Sequence, residues 1–198
     1  MFPQSGFSGA ETADHLLKAA GVNDVRIEPT EGFLSDHYAP GEHVLRLSPD
    51  VYTGRSLAAL GIAAHESGHA LQEATRYPLM GIRNGLVPLA NIGGTVSMVV
   101  IGIGFLLASM NFILLGIIAF STTVVFQLVN LPVEFDASRR AREELLRTGL
   151  VSPQEEPEVA SVLNAAALTY VAATLTSILT LLYFLFRAGL LGGSSRDD

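Results

Sequence analysis

Three long stretches without a charged side chain limit what this chain can fold into. They are residues 86–110, 111–133 and 164–186. As a helix rising about 1.5 Å per residue, each can cross a hydrocarbon core of about 30 Å. A buried helix of this length in a water-soluble protein would show a polar stripe on one side. The sequence therefore predicts three transmembrane helices, the first two forming a tight antiparallel hairpin.

The charged residues predict the orientation of these helices and argue against one class of partner. Ten of the twelve Lys and Arg residues lie in residues 1–85 and 134–163, and the short connection between the first two spans has none. Because basic loops stay in the cytoplasm, we expect both segments to face that side. The net charge of −7 argues against a nucleic-acid partner, since no basic excess is available to displace phosphate counterions.

The segments outside the spans predict a small mixed portion and a helical connection. In residues 1–85, Ser8 and Glu11 have capping-box spacing before a helix. Short β-favouring pieces follow at residues 25–28, 32–38 and 44–47, the last two around a Pro40-Gly41 turn. A helix is predicted from Ser56 to about residue 76. Residues 134–163 are charged and helix-forming, with a stop at Gly149.

These segments together predict a mainly α membrane protein with a small α+β portion that contains a short β-hairpin or sheet. The predicted order is a cytoplasmic-side portion (1–85), a transmembrane hairpin (86–133), a helical segment (134–163), a third span (164–191) and a disordered tail (192–198). Paired glycines in the first span, Gly93-Gly94, Gly102 and Gly104, predict close helix packing rather than chemistry.

A metal-binding pattern lies on the helix predicted from Ser56. His65 and His69 are four residues apart, so their imidazoles project from one face and can reach a single Zn²⁺. Glu66 points to a neighbouring direction, where it can act as a general base without binding the metal. Gly68 allows another backbone to approach closely. A chance HExxH on an ordinary helix is the alternative, and the helical context argues against it.

A third metal ligand has to come from outside this motif. A catalytic zinc has three protein ligands, no cysteine is present, and no third histidine follows at a suitable spacing. Glu134 is the first candidate, because it follows the second span and so returns to the membrane side of His65 and His69. Asp136 and Glu143 are alternatives. The ordinary interpretation of Glu134 is an acidic residue at a helix N-terminus, stabilised by the helix dipole. This role is compatible with metal binding.

Several blocks of the sequence resemble a known family. They are GFLSDHYAP, LRLSPDVYTGRSLAALGIAAHESGHALQ, LVPLANIG and LPVEFDASRRA. They are similar to the YugP-type zinc membrane peptidases of bacteria, and the resemblance extends from about residue 6 to residue 186. It implies a zincin-like catalytic portion, a Zn²⁺ cofactor and a multi-pass protein of the bacterial inner (plasma) membrane. Family members usually carry one further apolar span before the capping-box helix, which this sequence does not show.

A more distant similarity concerns the third ligand. HtpX and the prenyl-protein (CAAX) endopeptidases pair HExxH with a later E-x-x-A-D, whose glutamate binds the metal and whose aspartate steadies a histidine. Aligned on Glu134, this chain has Ala137 in place but Ser138 where the aspartate would stand. The resemblance therefore supports Glu134 as a ligand, and leaves Asp136 or a backbone carbonyl to steady the histidines.

Weaker candidates lie in two other segments. His37 or Tyr38, before the predicted catalytic helix, could donate to a tetrahedral oxyanion, or this strand edge could pair with an extended substrate. A turn with a surface histidine is an equally good interpretation. Arg139 and Arg140 could bind a substrate carboxylate or pair with Asp136, although juxtamembrane basic residues more often anchor a protein to lipid.

The sequence thus predicts a membrane-bound zinc metalloendopeptidase that acts at the membrane surface through a zinc-activated water, with Glu66 as the general base. The expected partners are a polypeptide substrate, including membrane proteins, and the lipid bilayer. One alternative is an intramembrane protease with its zinc deep in the bilayer. The other is a catalytically inactive zinc-binding adaptor or chaperone, against which the absence of cysteine argues.

Overall fold

The three apolar stretches form three long helices in a computed structural model of the protein, which describes residues 3–191. Residues 192–198, predicted to be a disordered tail, lie outside the described residues. The helices are α1 (Gly9–Ala19), α2 (Pro49–Tyr52), α3 (Leu57–Ala74), α4 (Pro78–Leu106), α5 (Met110–Arg147) and α6 (Glu156–Arg187), and the strands are β1 (Arg26–Pro29), β2 (His37–Ala39) and β3 (Val44–Leu47).

Within the described residues, α4, α5 and α6 are the helices long and apolar enough to cross a membrane. This confirms the prediction of a mainly α membrane protein with three spans. The helices extend beyond the predicted apolar stretches, because charged helical segments continue them without a break. In particular, α5 runs through Pro132 into the charged residues that were predicted to start a separate helix.

The described chain divides into two compact units. One comprises residues 3–80 and 133–168, and the other comprises residues 81–132 and 169–191. The first unit contains α1, the sheet, α2, α3, the last part of α5 and the start of α6. The second contains most of the apolar helices.

A small sheet in the first unit has the order β1-β3-β2. Strand β2 pairs antiparallel with β3, as predicted for the hairpin, but β2 begins only at His37, so the residues from Gly32 form a loop instead of a strand. Strand β1 pairs parallel with β3. The inner residues of β3 pack on α3 and α1 in one apolar cluster, which includes Leu45, Leu47, Ala63 and Leu17.

Helix α3 begins and ends where the sequence indicates. The Ser56 hydroxyl accepts a hydrogen bond from the Ala59 N–H and caps the first turn. The helix ends at Ala74; Arg76 then adopts a left-handed conformation and Pro78 opens α4. Near the start of the chain, Ser8 and Glu11 form the predicted capping box of α1.

In the second unit, α4 and α5 pack closely through glycines. A Cβ at Gly93 would lie 2.7 Å from the Ala119 carbonyl oxygen, and one at Gly104 would lie 2.8 Å from the Ile113 nitrogen. From the other helix, Gly116 of α5 packs equally closely against Ile101 of α4. The prediction of close packing is therefore confirmed at Gly93 and Gly104. At Gly102 it is wrong, because that residue faces open space.

Candidate metal centre

Helix α3 buries both motif histidines. His65 and His69 lie one turn apart, as residues at i and i+4 must, with ring centroids 4.9 Å apart and ring planes nearly perpendicular. Each is less than a tenth exposed. Small residues around them, such as Ala63, Ala64 and Gly68, let neighbouring elements cover this face. Buried imidazoles pointing in one direction are suited to metal binding.

Glu134 of α5 meets both histidines. Its Oε2 atom lies 3.2 Å from His65 Nε2 and 3.5 Å from His69 Nε2, and its side chain is almost completely buried. One ligand atom from each of the three residues lies within 4.8 Å of the other two. Neutral imidazole nitrogens and a carboxylate are the donor set of catalytic zinc sites. The residues present therefore fit a Zn²⁺ ion.

Gly68 explains how α5 comes close enough to supply this carboxylate. The backbone of α5 at Ala137 passes directly against Gly68, which lies between Glu66 and His69 on α3. The prediction that Gly68 admits another backbone is confirmed.

The electrostatics of the site favour positive charge. Burial by itself lowers the pKa of His69, but the hydrogen bond to Glu134 and the charges of Glu66 and Glu134 outweigh it, so the pKa of His69 is raised. The same carboxylates would attract a divalent cation. The two histidines that Glu134 faces thus compensate its buried negative charge, because solvent does not reach it.

Glu66 stays outside the ligand cluster and has another contact. Its Oε2 accepts a hydrogen bond of 3.0 Å from the backbone N–H of Tyr38 in strand β2. The second oxygen of a carboxylate held in this way can take up a proton. His65 and Glu66 are therefore adjacent in the sequence, but His65 belongs to the ligand cluster and Glu66 contacts strand β2.

Two side chains that sequence reasoning missed steady the histidines. Ser138 Oγ lies 3.1 Å from His65 Nδ1, so the residue that replaces the expected aspartate still contacts an imidazole. Gln72 Oε1 lies 3.0 Å from His69 Nδ1. Such contacts orient the ring and leave Nε2 for the metal. The position of Gln72, three residues after His69 on the same helix face, was the available signal.

The other candidate residues lie further from the cluster. Asp136 bonds Gln72, Arg139 and Arg140, so it acts behind a histidine partner and not as a ligand in this arrangement. Glu143 is exposed and pairs with Arg139.

The weaker catalytic candidates are engaged elsewhere. The exposed His37 ring contacts the Ser35 carbonyl through Nδ1, at 2.7 Å. The Tyr38 hydroxyl donates to Glu73 at 2.5 Å. Burial and the Glu73 carboxylate raise the pKa of Tyr38, so this hydroxyl remains protonated. In this arrangement it is the backbone of Tyr38, not its hydroxyl, that reaches the centre.

Comparisons with known proteins identify a zinc-dependent family. A family described as "Putative neutral zinc metallopeptidase" matches residues 1–189. The chain is 48% identical over 180 residues to "Putative membrane protease YugP" of Bacillus subtilis (strain 168), covering 91% of this chain and 80% of that protein. No solved structure matches the chain. With a family match over nearly its whole length and three residues placed to hold the metal, the chain belongs to this family of zinc metallopeptidases.

Proposed function

We propose that this protein is a membrane-bound zinc metalloendopeptidase that hydrolyses peptide bonds at the membrane surface. The observation that carries the proposal is the position of Glu134, within 3.5 Å of both His65 and His69, while Glu66 stays beside them with a different partner. Three ligands without cysteine are typical of a catalytic site, which keeps one position open for water or substrate.

Each residue of the centre then has a distinct role. When bound, Zn²⁺ lowers the pKa of a water molecule towards neutrality and polarises the scissile carbonyl. His65, His69 and Glu134 hold the metal. Glu66 accepts the proton of the attacking water and passes it to the leaving amine, with one oxygen fixed by the Tyr38 N–H. Because β2 is an edge strand of the sheet, its outer edge can also align an extended peptide through groups other than the Tyr38 N–H, which Glu66 occupies.

A site at the surface is better supported than one deep in the bilayer. The helix that carries both histidines, α3, is not among the helices of the described chain that are apolar and long enough to span a membrane. The distribution of Lys and Arg supports the cytoplasmic side of the bacterial inner membrane for this site. Substrates would then be polypeptides that reach that surface, including membrane proteins.

The decisive test replaces Glu66 by Gln in the full chain, purified in detergent and loaded with zinc. Removing a general base should lower the cleavage rate roughly 10²–10⁴-fold, whereas the zinc content, measured by elemental analysis, should stay at the wild-type level. Cleavage is read as new N-termini in a proteome-derived peptide library. Glu158→Gln, an exposed residue at the start of α6, is the matched control and should cleave normally.

Two results would overturn the proposal. One is a Glu66→Gln enzyme that cleaves as fast as the wild type. The other is a zinc-loaded wild type that generates no new N-termini, which would favour the non-enzymatic adaptor.

A further inference from the structure

Gln72 is a completely buried polar side chain at the contact between α3 and α5. We propose that it is a positioning residue that fixes the ring of His69, with hydrogen on Nδ1 and the Nε2 lone pair directed to the metal. The proposal rests on the zinc site described above and adds to it the residue that determines how one ligand is presented.

The hydrogen-bond partners of Gln72 determine which way its amide faces. Nε2 donates to the Val133 carbonyl oxygen at 2.8 Å and to Asp136 Oδ2 at 3.0 Å. A carbonyl oxygen can only accept, so the NH₂ group must face Val133 and the amide cannot be flipped. Both amide hydrogens are thereby used, and Oε1 is the atom that faces His69.

The direction of the amide in turn selects the tautomer of His69. Oε1 of Gln72 can only accept, and it lies 3.0 Å from His69 Nδ1, so Nδ1 carries the hydrogen. An imidazole that binds a metal is neutral, so in the metal-bound protein the other nitrogen would be unprotonated. That nitrogen, Nε2, is the atom that faces Glu134. To bind a metal together with Glu134, His69 needs the lone pair of Nε2 to point towards Glu134.

Asp136 keeps the amide in place. Its Oδ2 atom also accepts from Arg140 Nε at 2.6 Å, and its Oδ1 pairs with Arg139. Val133 and Asp136 lie on either side of Glu134 in α5, so Gln72 is held by the same helix turn that brings the third ligand. One contact network therefore sets the positions of His69 and Glu134 together.

The test compares zinc affinity in two variants of the full chain in detergent. Gln72→Met keeps the length of the side chain but removes both the acceptor for Nδ1–H and the two donors. The double variant Gln72→Glu with Asp136→Asn keeps an acceptor for Nδ1–H and reverses donor and acceptor between residues 72 and 136, whereas the Val133 carbonyl loses its donor. Loss of a partner of this kind typically weakens metal binding roughly 10–100-fold. Gln72→Met should show that loss in chelator competition, and the double variant, which keeps the acceptor for Nδ1–H, should bind zinc more tightly than Gln72→Met.

A second measurement separates positioning from a general loss of packing. The visible absorption spectrum of the Co²⁺-loaded protein reports the ligand geometry, and it should change in Gln72→Met and lie closer to the wild-type spectrum in the double variant. Gln154→Met, the same replacement at an exposed position, should leave both affinity and spectrum unchanged.

Wild-type zinc affinity together with a wild-type Co²⁺ spectrum in Gln72→Met would overturn the inference. If Gln72→Met does not fold, the double variant decides: zinc binding by the folded double variant supports the role of the acceptor at position 72, and loss of the metal from it overturns that role. Because these measurements read metal binding and not cleavage, they stay informative even if the Glu66 test contradicts peptidase activity.

Discussion

Gly68 and Ala137 are in direct backbone contact: a Cβ built on Gly68 would lie 2.5 Å from the carbonyl oxygen of Ala137. A real side-chain atom is not found so close to a backbone oxygen, so one of the two helices would have to move. Ala137 lies three residues after Glu134, almost one helix turn. The absence of a side chain at position 68 is thus a condition for bringing Glu134, the proposed third ligand, to the histidines.

Gly68→Ala should therefore cost both stability and metal. Overpacking of a tight contact typically destabilises a protein by about 1–3 kcal/mol, and displacement of α5 should withdraw Glu134 from His65 and His69. We expect a lower melting temperature in detergent and a bound zinc content below that of the wild type. Gly81→Ala is the matched control, because that helical glycine faces open space and alanine favours a helix. Equal zinc content in both variants would contradict this explanation.

Replacement of Glu134 by Gln should remove zinc without a large change of shape. The amide keeps the size of the side chain but is a poorer metal ligand than a carboxylate, and it leaves the site with two strong donors. Elemental analysis after gel filtration should give a zinc content well below one per chain. Asp136→Asn and Glu143→Gln test the alternative ligands and should retain more zinc. If Glu143→Gln loses the metal and Glu134→Gln keeps it, the ligand assignment is wrong.

Metal removal should reveal how strongly the site links α3 to α5. Zinc bound by the proposed ligands would link the two helices, so it should stabilise the folded chain by about 4 kcal/mol when its free concentration is 1,000 times its Kd. Chelation with EDTA should lower the melting temperature of the wild type, and added zinc should restore it. The melting temperature of Glu134→Gln should respond little to either treatment. An equal response in the two proteins would place the stabilising metal elsewhere.

Ser138 offers a test of how the chain departs from the E-x-x-A-D pattern. Its hydroxyl contacts His65 Nδ1, and Ser138→Ala should weaken zinc binding roughly 10-fold, the lower end of the effect of such partners. Ser138→Asp restores the residue of the related pattern and should bind zinc at least as tightly as the wild type. Ser161→Ala, at an exposed position on α6, serves as the control. Unchanged affinity in Ser138→Ala would mean that the contact does not steady the ring.

Local patterns predicted much of this fold. Charge-free length identified the three spans, and cap residues such as Ser8, Ser56 and Gly149 marked where helices begin or end. The parallel pairing of β1 with β3 could not be predicted, because it joins segments that are distant in sequence and depends on their packing against α1 and α3. The continuity of α5 through Pro132 was missed for a similar reason, since proline usually indicates a helix end.

The proximity of the three proposed metal ligands was more predictable than the residues that support them. His65 and His69 follow from helix periodicity, and Glu134 follows from the return of the chain to the same membrane side. The partner of His69, Gln72, is an ordinary polar residue until the fold shows that it is completely buried. Asp136 was considered as a ligand, a direct histidine partner or an ion-pair partner of Arg139 and Arg140, and the ion pairs are present. Its link to His69 through Gln72 was missed, because it needs the contact between α3 and α5.

The orientation of the chain in the membrane can be tested with single cysteines, since the sequence contains none. Ser109 lies in the short connection between α4 and α5, which has no basic residue, and Gly41 lies in the exposed turn between β2 and β3. With basic segments in the cytoplasm, Ser109→Cys should react with a membrane-impermeant maleimide in intact spheroplasts. Gly41→Cys should react only after the membrane is opened. The two positions control for each other, because lysis should make both reactive. The reverse pattern would put the metal centre on the outer side of the membrane, where substrates would have to be extracytoplasmic polypeptides.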